Sequence, residues 1–231
     1  YKSKGQCQYL IAAGCLAQRY KGQLMEAMPE LDALVGTGDF HKIGEVIDKL
    51  ETSKVNMTQN YSFIDYDLPH RKRIYKHFAF VKIAEGCDKT CSYCAIPQIR
   101  GPYKSRPITS IKKEVAGLVE EGVKEIILVA QDTTYYGFDT YGKPYLAKLL
   151  KELVDIEGDF LLRLLYTYPS HIDDELLDTI SSSGKIAKYL DIPLQHISPR
   201  ILKLMRRPAS PRRISSLLDK IRTSYPDIVL R

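Results

Sequence analysis

Three cysteines stand within one eight-residue stretch, in Gly86-Cys87-Asp88-Lys89-Thr90-Cys91-Ser92-Tyr93-Cys94. Thiolates are soft donors, and three of them spaced as CxxxCxxC can wrap a cube of iron and sulfide. Three corners are then ligated and the fourth iron keeps an open position. An open position binds a substrate and does chemistry, whereas a fully ligated cluster only passes electrons. Structural zinc is the alternative. It ordinarily takes two CxxC or His pairs that close a tetrahedron. Here no second pair follows, and nothing in the spacing requires Cys15 or His196 to complete one. A chance group of buried cysteines is the remaining alternative.

The elements that must carry this loop alternate. Apolar runs of strand length occur at 78–84, 125–130, 160–166, 189–193 and 228–231. Segments with helical spacing lie between them at about 109–121, 144–155, 173–182 and 210–224. Strands alternating with helices predict βαβ units, a parallel sheet and right-handed crossovers. The fold class is therefore α/β, an open doubly wound sheet or a barrel of the TIM type. In both, chemistry gathers in the loops that follow the strands. Those loops hold Glu85-Gly86-Cys87, Gln131-Asp132-Thr133-Thr134, Tyr168-Pro169-Ser170-His171 and Gln195-His196. Arg163, flanked by leucines at 161, 162, 164 and 165, is expected to point inward, where it needs an anionic partner.

Residues 1–50 form a smaller α/β segment. Strands are expected at 9–13 and 31–35, with a helix over 16–27 and another carrying Ile43, Val46, Ile47 and Leu50 on one face. Residues 51–76 have few aliphatics and are expected to form a linker, with Tyr61, Phe63 and Tyr66 against a surface. The third segment, 77–231, is the larger domain. No apolar run reaches the ~20 residues that span a bilayer. No secretory leader is evident, and the five cysteines, an odd number, do not suit a disulfide scaffold. A reducing, cytoplasmic setting is expected. The formal charge is +6, which favours an acidic partner such as RNA or a ribonucleoprotein, the alternative being an ordinary solvated surface. Basic residues gather at Arg71-Lys72-Arg73 and at Arg206, Arg207, Arg212 and Arg213. The sequence opens at Tyr1 and closes inside an apolar run, so a fragment of a longer protein is expected.

The cysteine motif after the first strand of a βα repeat resembles the radical S-adenosylmethionine (SAM) superfamily. The resemblance implies a partial (β/α) barrel of six units, about five of them present here, preceded by part of a small α/β domain. It also implies a [4Fe–4S] cluster on Cys87, Cys91 and Cys94 whose open iron is chelated by SAM. Tyr93 would lie near the adenine. Gln131, Asp132 and Thr133 would reach the amino group or ribose, a helix cap and turn being the alternative. Gln195 would line the pocket beside His196, for which a structural histidine is the alternative. Arg163 would meet the cofactor carboxylate, with Arg100 and Arg207 as alternatives.

The stretches Cys91-Ser92-Tyr93-Cys94-Ala95-Ile96-Pro97, Arg100-Gly101 and Ser105-Arg106-Pro107 are similar to the methylthiotransferases within that superfamily. Those enzymes carry a second [4Fe–4S] cluster. Gly14-Cys15-Leu16-Ala17-Gln18 matches its third ligand, Cys15, with the other two expected upstream. Cys7 matches no ligand. Gln131-Asp132-Thr133-Thr134-Tyr135-Tyr136-Gly137 and Asp191-Ile192-Pro193-Leu194-Gln195-His196 resemble the branch that modifies an aspartate of the twelfth small-subunit ribosomal protein. The rival branch modifies adenosine in transfer RNA. The resemblance implies a ribosomal protein or the ribosome as partner, and an electron donor such as flavodoxin or ferredoxin. A sixth barrel unit and a small β-domain would follow the last residue.

Overall fold

The computed structural model describes residue 2 and residues 4–59, 75–207 and 210–231. They fall into two compact units. The first comprises the N-terminal residues together with 86–88 and 95–102, and the second holds the rest.

The first unit is built on three short parallel strands, β1 (Ile11–Ala13), β2 (Ala33–Val35) and β3 (Val55–Met57), in that order, with Ala12 opposite Leu34 and Leu34 opposite Asn56. Every residue of β2 is buried, because both faces are covered. On one face Ala33 and Val35 pack with Val46 and Leu50 of the segment containing α3 (Ile43–Lys49). On the other, Leu34 packs with Ala17 of α1 (Cys15–Tyr20) and with Leu31. The helix expected over 16–27 is two helices, α1 and α2 (Gly22–Ala27). The break is at Lys21, whose φ of +50° ends the first while its N–H bonds Ala17 O. A fourth helix, α4 (Ile96–Arg100), completes the unit. Strand β3 lies inside the stretch expected as a linker. Three residues give too little alternation to read, and Val55 and Met57 are drawn in by packing against the Ala33 cluster. Tyr61, Phe63, Tyr66 and Arg71-Lys72-Arg73 lie outside the described residues.

The second unit carries the repeat. Strands β4 (Phe78–Lys82), β7 (Glu125–Val129) and β8 (Leu161–Leu164) pair in parallel in that order. A parallel bridge between Leu162 and Ile186 leads on to the parallel pair β9 (Tyr189–Leu190) and β10 (Val229–Leu230). Five strands thus follow in chain order, with α5 (Ile108–Glu120), α7 (Leu146–Val154), α8 (Asp174–Ser182) and α10 (Pro211–Ser224) between them. This is the expected (β/α) barrel arrangement, and the expected helix limits hold to within about two residues. Three pieces were not legible in the sequence. They are α6 (Phe138–Tyr141), α9 (Pro199–Leu204) and an antiparallel pair, β5 (Ala84–Glu85) with β6 (Lys104–Ser105).

Alternation within the strands decides the two faces. Val81, Ile126, Leu128, Leu162 and Leu164 turn toward the helices and pack with Ile111, Val115, Leu149, Leu150, Leu153, Leu177 and Ile180. Each such aliphatic side chain contributes about 1.5–3 kcal/mol by leaving water. The register sets Phe80, Ile127 and Arg163 side by side on the opposite face, and Phe80 stays 58% exposed there. Asp173 caps α8 by accepting the Leu176 N–H at 2.9 Å, worth about 1 kcal/mol.

Candidate active site

In the second unit the cysteine loop is closed by one internal turn and anchored at two points. Cys94 N–H donates to Cys91 O at 3.0 Å, closing a tight turn that presents both thiols. Ser92 N–H donates to Met205 O at 3.0 Å. Lys89 Nζ forms an ion pair with the buried carboxylate of Asp132, at the exit of β7. That ammonium also lies 4.2 Å from the centre of the Tyr168 ring and 5.1 Å from that of Tyr135.

Asp132 is the hub of this end of the unit. Its carboxylate accepts from Thr134 Oγ1 at 2.6 Å and from Tyr135 N–H at 3.2 Å, and it faces His171 Nδ1 at 3.2 Å. Its carbonyl accepts from the Tyr103 hydroxyl at 2.8 Å. Burial pushes the carboxyl up, but the hydrogen bond from His171 and the charge of Lys89 outweigh it and hold the group below its ordinary value. Thr133 is fully buried, its hydroxyl donating to Leu165 O at 2.9 Å. Of the three residues expected to reach a ligand at this exit, Asp132 and Thr133 are therefore committed to the protein as cap and turn, and Gln131 is exposed.

Arg163 has an anionic partner within the protein. It pairs with Glu125 of the adjacent strand and lies 5.2 Å from the centre of the Tyr189 ring. A protein carboxylate meets the need that the flanking leucines implied. Gln195 is exposed and holds φ +68°, and Tyr166 after β8 holds φ +60°. Left-handed backbone at two non-glycine strand exits is stored strain of the kind that accumulates at functional loops. His196 Nδ1 accepts the Ser198 N–H at 2.8 Å, a local turn.

Arg207 joins the loops. Its guanidinium stacks 4.5 Å from the centre of the Tyr168 ring, donates to Pro193 O, and donates to the Tyr93 hydroxyl at 3.2 Å. Among the described residues, Arg207 Nε and the Tyr168 hydroxyl are buried with no hydrogen-bond partner. Burial pushes the Tyr168 phenol up to about 12. It raises Tyr93 as well, against the opposing charge of Arg207. Tyr93 itself is 54% exposed, beside Cys94. The cluster of Lys89, Tyr168, His171 and Arg207 was not singled out as a unit in the sequence. Its signals there were that Lys89 sits inside the cysteine motif, Tyr168 and His171 at a strand exit, and Arg207 in a basic group and among the alternatives for the cofactor carboxylate.

In the first unit, Cys87 N–H donates to Gly101 O at 3.1 Å. Gly86 has φ +78°, and a Cβ there would stand 2.0 Å from Pro102 O. Only glycine permits that approach. Cys15 opens α1, is exposed, and has Arg100 Nη2 at 3.4 Å from its sulfur. Cys7 is bonded locally, Sγ to Tyr9 O at 3.3 Å.

All five cysteines are thiols and none is fully buried. Among the described residues no three His, Cys, Asp or Glu side chains converge tightly enough for a single metal ion. A cube spreads its three thiolates over three irons and does not need them to converge on one. Cysteine thiolate is the donor type that such a cluster takes.

Residues 81–231 match the Radical SAM superfamily. The chain belongs to that superfamily. Its described relatives include proteins named ribosomal protein uS12 methylthiotransferase RimO. The one from Pelotomaculum thermopropionicum is 49% identical over 100% of this chain and 52% of its own length. The one from Acetivibrio thermocellus is 47% identical over 100% of this chain and 53% of its own length. The chain spans about half the length of these relatives. Among solved structures, the radical SAM methyltransferase TsrM from Kitasatospora setae, with cobalamin and a [4Fe–4S] cluster bound, aligns with a TM-score of 0.68. The match is 17% identical and covers 95% of this chain and 49% of that one. The cobalamin-dependent radical enzyme OxsB, with aqua-cobalamin and SAM bound, aligns at 0.65, with 11% identity, over 96% of this chain and 35% of that one. These two likenesses establish the superfamily fold for the barrel. Among the described residues no helix is long and apolar enough to cross a membrane.

Proposed function

We propose that the protein of which this chain is part transfers a methylthio group to the β-carbon of an aspartate in ribosomal protein uS12. The observation that carries the reading is the 49% identity that runs over the whole chain to a protein named for that activity. Cys87, Cys91 and Cys94 would hold one [4Fe–4S] cluster, and Cys15 would contribute to a second. What a cluster held by the three thiolates supplies is the electron that cleaves the sulfonium of SAM.

The residues of the chain supply position and shelter. Lys89 and Asp132 pin the cysteine loop to the exit of β7. Arg207 orients Tyr93 beside Cys94. Glu125 already balances the charge of Arg163, so the role of meeting the cofactor carboxylate passes to Arg207, whose Nε is buried and without a partner. Gln131, exposed at the exit of β7, and Gln195, held in left-handed backbone after β9, are the polar groups left to line the pocket. Phe80 and Ile127 give the inner face an apolar lining, which suits chemistry that water would quench. A flavodoxin or ferredoxin would deliver electrons, and a cytoplasmic location follows from a ribosomal substrate.

Mass spectrometry of uS12 from a deletion strain tests this. The methylthio-aspartate should vanish, return with the parent gene, and stay absent with Cys91→Ala. Loss of methylthio-adenosine from transfer RNA, with uS12 unchanged, would overturn it.

A further inference from the structure

Residues 192–218 hold six Lys or Arg and no Asp or Glu, leaving 28 of the 34 basic residues to face all 28 acidic ones elsewhere. The segment itself therefore carries +6. Five of the six are Arg. Arg207 is buried; Arg200, Lys203, Arg206, Arg212 and Arg213 are exposed.

Two further observations bear on these five. Among the described residues none of them has an ion pair or side-chain hydrogen bond, whereas Lys82, Lys112, Lys124, Lys148, Lys151 and Lys220 each meet a carboxylate. Arg212 and Arg213 also occupy the first turn of α10, where the positive end of the helix dipole disfavours cations, and no acidic residue is there. The first turn of α8 carries the expected Asp174 and Glu175. Unpaired arginines placed against the local field call for an external anion. Guanidinium groups match phosphate oxygens in forked pairs better than lysines do.

The segment is also tied to the cysteine loop. Leu202 of α9 and Ile214 of α10 share one small apolar cluster, which joins the two helices. At the end of α9, Met205 O accepts the Ser92 N–H at 3.0 Å. Resting on the uS12 reading, we infer that the exposed face of α9 and the first turn of α10 dock onto RNA phosphates, so that the substrate is uS12 held in a ribonucleoprotein particle. RNA docked beside the cysteine loop would bring a neighbouring protein loop to the site.

The test uses the full-length enzyme, salt-washed small ribosomal subunits and isolated uS12. In the variant Arg200→Gln/Lys203→Gln/Arg212→Gln/Arg213→Gln, affinity for the subunit should fall at least tenfold. The slope of log K against log salt should flatten by about 3, one phosphate contact per cation. Transfer to isolated uS12 should be unchanged. The charge-preserving variant Arg200→Lys/Arg212→Lys/Arg213→Lys should keep most of the salt slope. Should the four-fold variant misfold by circular dichroism, Arg212→Glu/Arg213→Glu carries the same expectation. Subunit binding and salt slope equal to the parent's would overturn the inference. So would parent binding to phosphatidylglycerol vesicles with none to the subunit. Subunit binding that depends on these residues without any transfer to uS12 would leave the docking surface standing and remove the catalytic reading.

Discussion

Lys89, from inside the cysteine motif, reaches the buried carboxylate of Asp132 at the end of β7 and so fixes its loop to a sheet. The lysine ammonium is itself largely covered, between the rings of Tyr168 and Tyr135. Removing one member of such a pair strands the other charge away from water, at a cost of about 3–5 kcal/mol. Lys89→Met should destabilise the protein by about 3 kcal/mol in urea and lower iron per chain after anaerobic reconstitution. Lys89→Met/Asp132→Asn should recover part of the loss, because no uncompensated carboxylate remains. Equal stability of Lys89→Met and parent would mean that the pair does not hold the loop.

Asp132 also sets an acid limit. Its carboxyl is held below the ordinary carboxylate value, so the unfolded chain binds the proton more readily than the folded one. Its contribution is complete above the ordinary value of about 4 and is lost as pH falls through the lowered folded value. Urea midpoints of the parent should therefore drop more steeply below about pH 4 than those of Asp132→Asn. Parallel pH curves would remove this role.

The three thiols are expected to act as a set. Cys87→Ala, Cys91→Ala and Cys94→Ala should each abolish the absorption and spin-resonance signal of a SAM-responsive cluster. Cys7→Ser, at a sulfur that bonds Tyr9 O, should leave that signal intact. A full signal in any of the three alanine variants would remove that cysteine from the ligand set.

Gly86 offers a steric probe. Alanine there meets both a left-handed φ, about 1–2 kcal/mol, and the Pro102 carbonyl. Gly86→Ala should cost at least about 2 kcal/mol and reduce cluster occupancy. Gly122→Ala, at φ +85° with nothing within 4 Å, carries only the conformational part. Calorimetry of the two side by side separates clash from backbone strain.

Arg207 should not tolerate lysine. A planar fork lets one side chain stack on Tyr168 while donating to Tyr93 and to Pro193 O, and an ammonium cannot do all three. Arg207→Lys should cost about 1–2 kcal/mol by chemical denaturation and raise the tyrosinate titration of Tyr168 only slightly, since burial dominates that phenol and the Arg207 charge merely opposes it. Full stability in Arg207→Lys would show the fork to be dispensable.

The local pattern was legible where a segment was long and regular. Helices α5, α7, α8 and α10 and the strands β4, β7 and β8 were readable because each spans several periods of its own repeat. Strand β3 and helices α4 and α9, of three to six residues, were not, since so few residues carry no period and only neighbouring packing makes them regular. The same limit applied to side chains at the strand exits. Arg163 was expected to need an anion, which was correct as electrostatics, but the anion is Glu125, 38 residues away in sequence.

By itself the sequence determined the chemistry on offer, three thiols at CxxxCxxC spacing after a strand, and the repeat that carries them, because both are local properties of neighbouring residues. Tertiary structure alone decided which polar groups at the strand exits are committed and which are open. Asp132 and Thr133 are consumed by the turn, whereas Arg207, more than a hundred residues from Tyr93, closes over the loop. Those assignments depend on register between strands and on desolvation. Both are set by where distant segments pack, and no local pattern encodes them.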